Sequence, residues 1–67
     1  KTQKIMEKWI IKLSNNAFAY IANNTLYIKY NFEEASMFDT IGDAWKAAIF
    51  VNKLLNTNAV AVSYYVH

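Results

Sequence analysis

The chain has 67 residues, of which 55% are hydrophobic, 16% aromatic and 18% charged, and its formal net charge is +2. A chain of this length forms one domain at most and buries only about 60% of the surface that its unfolded form exposes. Lysine supplies all of the positive charge and arginine is absent, which argues against a dedicated reader of nucleic-acid bases.

Residue types that perform chemistry are scarce in this sequence. Cysteine is absent, which excludes disulfides and thiolate sites. The single histidine, His67, is the last residue, and the acids Glu33, Glu34, Asp39 and Asp43 match no metal-binding loop. We therefore expect no enzyme, no catalytic residue, no cofactor and no metal, and we interpret the acids as solvated side chains near a helix N-terminus.

The hydropathy of the chain contains no membrane signal. No apolar run is long enough to cross a bilayer, and the first residues lack the apolar region of a signal peptide. We expect a cytoplasmic protein. We also expect residues 1–8 to be an N-terminal tail or a cloning remnant, with Met6 as a candidate native start, and residues 9–67 to form a single α+β domain.

Three strands are predicted in the first half of the domain. Side chains alternate in character with the period of a β-strand over residues 9–14, 17–22 and 25–30, the middle run by placing aromatic residues on one side and small or aliphatic residues on the other. Asn-Asn pairs at residues 15–16 and 23–24 separate the three runs, and asparagine tolerates the positive φ angles of tight hairpin turns. The pattern predicts a three-stranded meander.

A helix and a fourth strand are predicted in the second half. Residues 31–39 are less regular, and we expect one helical turn there, followed by a buried anchor at Met37 and Phe38. Thr40 is a suitable N-cap for a helix over residues 41–55. Asparagines then end the helix, and residues 59–66 alternate as a strand. The predicted fold is α+β, a small antiparallel sheet in the order β-β-β-α-β with one helix packed on one face.

The two periodicities divide the side chains between a core and an uncovered sheet face. We expect Trp9 and Trp45 to meet between the first strand and the helix. The second strand is ambiguous, because Phe18 and Tyr20 oppose a side that is nearly all alanine. The expected core consists of Trp9, Ile11, Leu13, Leu26, Ile28, Ile41, Trp45, Ala48, Val51, Leu55, Val60 and Val62. The expected uncovered face carries Lys8, Ile10, Lys12, Thr25, Tyr27, Lys29, Ser63 and Tyr65.

Phe50 is the first candidate for a partner-binding residue. It falls on the far side of the helix from the apolar stripe, among Asp43, Lys46 and Lys53. An aromatic side chain in that position is a candidate interface anchor, because aromatic residues are enriched at binding hot spots. Two alternatives stay open: a single exposed Phe without function, and a helix rotated from the ideal wheel.

The uncovered sheet face is the second candidate surface. Ile10, Tyr27, Lys29 and Tyr65 are its candidate partner-binding residues. Aromatic and basic side chains on one sheet face also stack single-stranded bases, so weak single-stranded nucleic-acid binding is the alternative function. Ordinary cross-strand pairing of Tyr and Lys on a solvated face explains the same pattern without a ligand.

The run WIIKL at residues 9–13, the Asn-Asn turn and the run EASMFDTIGDAWKAA at residues 34–48 resemble a pattern in small phage and prophage proteins. Those proteins have a strand meander, an A-x-x-F motif, a capped helix with alanines and a closing valine strand, and most have no assigned function. The resemblance spans residues 9–66. Some small phage proteins inhibit host defence enzymes, including CRISPR nucleases, by covering their surfaces. Inhibitors that mimic DNA are usually acidic, whereas this chain is not.

The favoured hypothesis is a non-enzymatic protein–protein interaction module, a phage or mobile-element accessory protein. The resemblance makes inhibition of a host defence protein one expected role. The expected partner is a protein, either a second copy of the chain in a homodimer or a host protein. We do not expect the chain to bind a membrane. The motive for self-association is the apolar composition, because a small domain without a disulfide or metal often gains its stability by forming an oligomer.

Overall fold

A computed structural model of the protein describes residues 6–13 and 16–66. It shows an α+β fold with a four-stranded antiparallel sheet and one helix packed on it, which confirms the predicted class and element order. The elements are β1 (Met6–Leu13), β2 (Ala17–Ala22), β3 (Thr25–Lys29), a 3-10 helix (Phe32–Glu34), α1 (Ile41–Leu55) and β4 (Val60–Val66). Because β1 begins at Met6, residues 6–8 belong to the sheet rather than to the expected tail.

The strand order is β3-β2-β1-β4, so β3 and β4 are the edges of the sheet. Ile10 of β1 lies opposite Val62 of β4, and Tyr20 of β2 lies opposite Tyr27 of β3. Opposite residues share a face and successive residues alternate between faces. We call the side that carries α1 the helix face and the other side the open face.

The turns and helix caps follow the local sequence signals. Asn23 and Asn24 both have positive φ, at 53° and 60°, as a two-residue hairpin turn requires. The Thr40 side chain accepts a hydrogen bond from the Asp43 N–H at 3.2 Å, and Asn56 ends α1 in the left-handed conformation. These predictions are confirmed; Asn15, in the other Asn-Asn pair, lies outside the described residues.

A short segment after the 3-10 helix separates β1 from β2. The two strands pair at Lys12–Phe18 and Leu13–Ala17. Further along, residues 36–38 lie between them. Phe38 exchanges two backbone hydrogen bonds with Trp9, each of 2.8 Å. On the other side, Ser36 donates its N–H to Ala19 at 3.1 Å and accepts from the Ile21 N–H at 2.8 Å with its hydroxyl.

This segment takes the chain from the open face to the helix face. Phe32 packs edge-on against Tyr64 on the open face, with ring centroids 5.2 Å apart. The Tyr64 hydroxyl also contacts the sulfur of Met37 at 3.0 Å. The next residue, Phe38, packs against the core under the helix. The expected anchor is therefore half right, since Phe38 is partly buried and Met37 is exposed.

Small residues form the contact between α1 and the sheet. Ala44, Ala48 and Val51 are the buried residues of the helix, and they form one core cluster with side chains of β1 and β2 and with Ala59, just before β4. The helix can approach closely because its own side of the contact presents only small side chains. The fully assembled core cluster consists of Ile11, Leu13, Ala17, Ala19, Ala44, Ala48, Val51 and Ala59.

The expected role of Trp45 in the core is wrong. Trp45 is 42% exposed, and Ile41 and Leu55 at the two ends of the helix are exposed as well. The size and hydrophobicity of Ile41 and Trp45 led to the prediction that their stripe of the helix is the buried one. The structure instead rotates the helix toward Ala44 and Ala48, because a Trp in the contact would hold the helix away from the sheet.

Three strand residues of the expected core also differ. Val60 and Val62 lie on the open face, where Val62 is half-buried and Val60 is exposed, while Ala61 faces the helix. Ile28 lies on the helix face of edge strand β3 and is exposed. A period of two does not say which face of a strand the helix covers, and here it covers the small-residue face of β4.

Candidate interaction surfaces

A groove runs along one flank of α1. The helix packs mainly on β1 and β4, so on the helix face of the other two strands Ile21 of β2 is only half-buried and Ile28 of β3 is exposed. The resulting groove has a volume of about 510 Å3. It is lined by Ile21, Asn24, Ser36, Met37, Phe38, Lys46, Ala47 and Phe50.

The groove has apolar walls and a polar rim. Phe50 is 39% exposed and forms the helix side of the groove together with Ala47, while Ile21 belongs to the opposite wall. Lys46 and Asn24 add an ammonium group and an amide at the rim. The ion pairs of the described residues involve Lys8 and Lys29 and leave the Lys46 charge available. We call this surface the Phe50 groove.

The groove contains one hydroxyl side chain, that of Ser36, and its environment is structural. The Ser36 oxygen accepts the Ile21 N–H at 2.8 Å and also contacts the Ile21 carbonyl oxygen at 3.5 Å. These bonds join residues 36–38 to β2. The groove therefore offers apolar contact, an amide and a positive charge to a ligand.

A second patch of exposed side chains lies on the open face. The rings of Tyr20 and Tyr27 are 5.9 Å apart, and the Lys29 ammonium lies 5.8 Å and 6.0 Å from the two ring centroids. Such distances allow cation–π attraction within the patch. Lys29 also lies 3.7 Å from a carboxylate oxygen of Glu34, which partly neutralises its charge. We call Tyr20, Tyr27 and Lys29 the tyrosine patch.

The remaining acids are distributed among separate neighbours. Asp39 pairs with Lys8, whereas Glu34 pairs with Lys29. Glu33 donates its backbone N–H to the Asn31 side chain at 3.0 Å, within the 3-10 turn. Within residues 6–13 and 16–66, no three His, Cys, Asp or Glu side chains are grouped closely enough to hold a metal ion.

The structure brings some of the predicted site residues together and separates others. Tyr27 and Lys29 are neighbours in the tyrosine patch, and Phe50 lies in its own groove on the other side of the sheet. Ile10 shares the open face with the tyrosine patch but is only 3% exposed, so the expectation that it is open to solvent is wrong. Tyr65 is exposed, but it lies on the helix face, opposite Glu7.

Sequence reasoning missed the second wall of the Phe50 groove. Ala47 and Phe50 are three residues apart and therefore share a helix flank, a signal that the sequence does contain. Ile21 and Phe38 could not be assigned to the same place, because the passage of residues 36–38 between β1 and β2 creates that wall.

No family model, curated protein or solved structure matches the chain. Within the described residues, no helix is both long and apolar enough to span a membrane.

Proposed function

We propose that the protein is a non-enzymatic protein–protein interaction module that binds its partner in the Phe50 groove. The observation that supports this most is a large aromatic side chain, 39% exposed, lining a groove of about 510 Å3 with other apolar residues. Aromatic residues beside a concave apolar surface are typical of binding hot spots. Leaving this groove hydrated costs free energy that a partner's apolar side chain would recover.

The chemistry of the groove favours a particular kind of partner. Ile21, Phe38 and Ala47 suit an apolar anchor side chain from the partner protein. The ammonium of Lys46 at the rim suits a carboxylate next to that anchor, because opposite charges at an interface rim speed association and fix orientation. The partner segment would therefore present a large apolar residue followed or preceded by Asp or Glu.

Quantitative capture tests the proposal. The immobilised protein is exposed to nuclease-treated lysate from the source cell and its competitors, and the proteins retained are quantified for the parent, Phe50→Asp and Tyr30→Asp. Phe50→Asp should reduce the recovery of a specific protein roughly tenfold or more, since a hot-spot aromatic contributes about 2 kcal/mol or more. Tyr30 is exposed just after β3 and does not line the groove, so Tyr30→Asp is the matched control and should retain the protein.

Two further variants refine this test. Lys46→Glu should slow association with the same protein, and the effect should shrink as salt is raised, because a rim charge acts mainly on the association rate. Circular dichroism of each variant is the control that tests whether the fold is intact. Equal recovery by the parent and Phe50→Asp would contradict the proposal.

The biological setting is part of the proposal and depends on the resemblance to small phage proteins. In that setting the protein is a cytoplasmic accessory protein of a phage or mobile element, and its partner is a host protein that it blocks by covering a surface. Contact through an apolar groove with a basic rim fits surface covering better than DNA mimicry, since mimicry requires a strongly acidic surface.

The tyrosine patch supports a second candidate, weak binding of single-stranded nucleic acid. Tyr20 and Tyr27 offer ring faces for base stacking, with the Lys29 ammonium beside them. Glu34 next to Lys29 and Asp39 next to Lys8 weaken the attraction to phosphate, which is why this candidate ranks second. A fluorescent oligothymidine titration tests it: binding that falls with Tyr27→Ala and with salt favours the second candidate.

A further inference from the structure

Among the described residues, the outer edge of β4 pairs with no other strand, and β4 is regular and carries no charge. β4 pairs with β1 in an unbroken register from Met6–Val66 to Lys12–Val60. Its sequence, VAVSYYV, contains no charged residue and no proline or glycine. Sheet edges in natural proteins are usually protected by lysine, proline or a bulge, and an unprotected edge of this length is a template for another strand. Edge strand β3, in contrast, has five residues and ends in Lys29.

The backbone groups that point away from the sheet can be identified from the hydrogen bonds of β1. Trp9 exchanges both of its backbone hydrogen bonds with Phe38, so its N–H and C=O point away from β4. In an antiparallel ladder this direction alternates, so Val62 and Tyr64 of β4 bond to β1. Ala61, Ser63 and Tyr65 therefore direct their N–H and C=O groups outward.

We propose that β4 pairs antiparallel with β4 of a second copy of this chain about a two-fold axis at Ser63, joining two sheets into one of eight strands. Ser63 is the middle residue of the seven in β4, so this register pairs the strand along its whole length. The outward backbone groups of Ser63 meet those of its own counterpart. The outward backbone groups of Ala61 meet those of Tyr65 in the second copy, and those of Tyr65 meet Ala61 of the second copy.

The side chains around this axis complement one another. Tyr65 is 60% exposed on the helix face and would lie over the small Ala61 of the second copy. On the open face, Val62 would lie opposite Tyr64 of the second copy. No like charges are brought together, because β4 has no charged side chain. This arrangement would cover the exposed ring of Tyr65.

The position of α1 fits the same two-fold axis. The helix packs on both β1 and β4, and neighbouring strands lie about 4.8 Å apart. A helix centred over those two strands lies about 5 Å from the axis, which places the helices of two copies about 10 Å apart. Helices pack at 8–10 Å, so the two copies of α1 would be in contact above the joined sheets.

The helix flank that would face the axis is apolar. Asn52 marks the β4 side of α1, because its side chain accepts the Ala59 N–H at 2.6 Å and donates to the Ala59 carbonyl at 3.2 Å. Ile49 and Trp45 lie three and seven residues before Asn52 and therefore share its flank. Both are exposed. In the proposed dimer, Ile49 and Trp45 pack against Ile49 and Trp45 of the second copy. The two-fold axis brings the same apolar flank of both helices together.

Sedimentation equilibrium across a concentration series tests the dimer. The parent should sediment as twice the mass of one chain at high micromolar concentration. Ser63→Lys places two ammonium groups opposite each other at the axis without removing a bond to β1, and it should raise the dissociation constant by about tenfold or more. Thr25→Lys adds the same charge to the other edge strand and should leave the parent's dissociation constant unchanged.

Amide hydrogen exchange of the parent at low and high concentration gives a second readout that needs no variant. The amides of Val60, Val62 and Tyr64 should be protected at both concentrations. Those of Ala61, Ser63 and Tyr65 should gain protection only at high concentration. A monomer throughout the series, equal association of Ser63→Lys and the parent, or an exchange pattern without this alternation would each overturn the proposal.

Discussion

Alanine, rather than tryptophan, decides how α1 is placed at the scale of single residues. Ala44 and Ala48 are fully buried against the sheet, whereas Trp45, between them, is 42% exposed. Ala is also the best helix former, so the same residues favour the helix and allow its close approach. Hydrophobicity alone therefore ranks these positions incorrectly, because close packing rewards a fit in shape as well as apolar area.

For Ile11 and Trp45, side-chain size and burial predict opposite orders for the stability lost on substitution by alanine. Ile11 is fully buried in the core cluster, so Ile11→Ala should destabilise the domain by about 2–5 kcal/mol. Trp45→Ala removes a larger side chain from an exposed flank and should cost on the order of 1 kcal/mol. Urea denaturation of both variants, at a low protein concentration where chains are separate, measures the difference. A larger loss for Trp45→Ala would contradict the placement of the helix.

At the scale of elements, the packing of α1 on β1 and β4 depends on the small size of the buried helix residues. Replacing Ala48 with Leu inserts a bulky side chain between helix and sheet, and overpacking of this kind costs typically about 1–3 kcal/mol. Lys53→Leu, on the solvent side of the same helix, is the matched control and should change stability little. Thermal and urea unfolding of the two variants test this directly; an unaffected Ala48→Leu protein would mean that the helix sits farther from the sheet.

The elements themselves were predictable because their signals are local. Alternation, the Asn23-Asn24 turn, the Thr40 cap and the Asn56 terminus each depend on a few neighbouring residues, and the structure confirms them. The choice of buried face in β4 and the rotation of α1 depend on how distant elements meet. The sequence therefore placed Val60 in the core, whereas the structure places it on the open face.

The candidate sites also divide into residues whose position follows from local signals and residues whose position depends on how distant elements meet. Phe50 could be identified as exposed because its position on the helix wheel is a local property, and Tyr27 and Lys29 could be paired because they alternate along one strand. The burial of Ile10 could not be inferred, because it depends on tertiary packing rather than on the alternation within β1. The position of Tyr65 follows from the face of β4 that the helix covers.

At the scale of the whole molecule, exposed apolar side chains lie on both flanks of α1. One flank borders the Phe50 groove, and the other carries Trp45 and Ile49 beside β4. A chain of 67 residues without cysteine has a thin stability margin, so burying this surface against partners would add to its stability. The two flanks allow a dimer through β4 and a separate protein partner in the groove at the same time.

Site-specific photocrosslinking tests the central claim, that the Phe50 groove binds a protein, most directly. Benzoylphenylalanine is introduced at position 50 in one variant and at position 30 in another, and both are irradiated in lysate before nuclease treatment. We predict that position 50 forms one predominant adduct with a protein, that nuclease does not change the mass of this adduct, and that position 30 does not form it. Equal adducts from both positions, or an adduct at position 50 that nuclease removes, would contradict the claim.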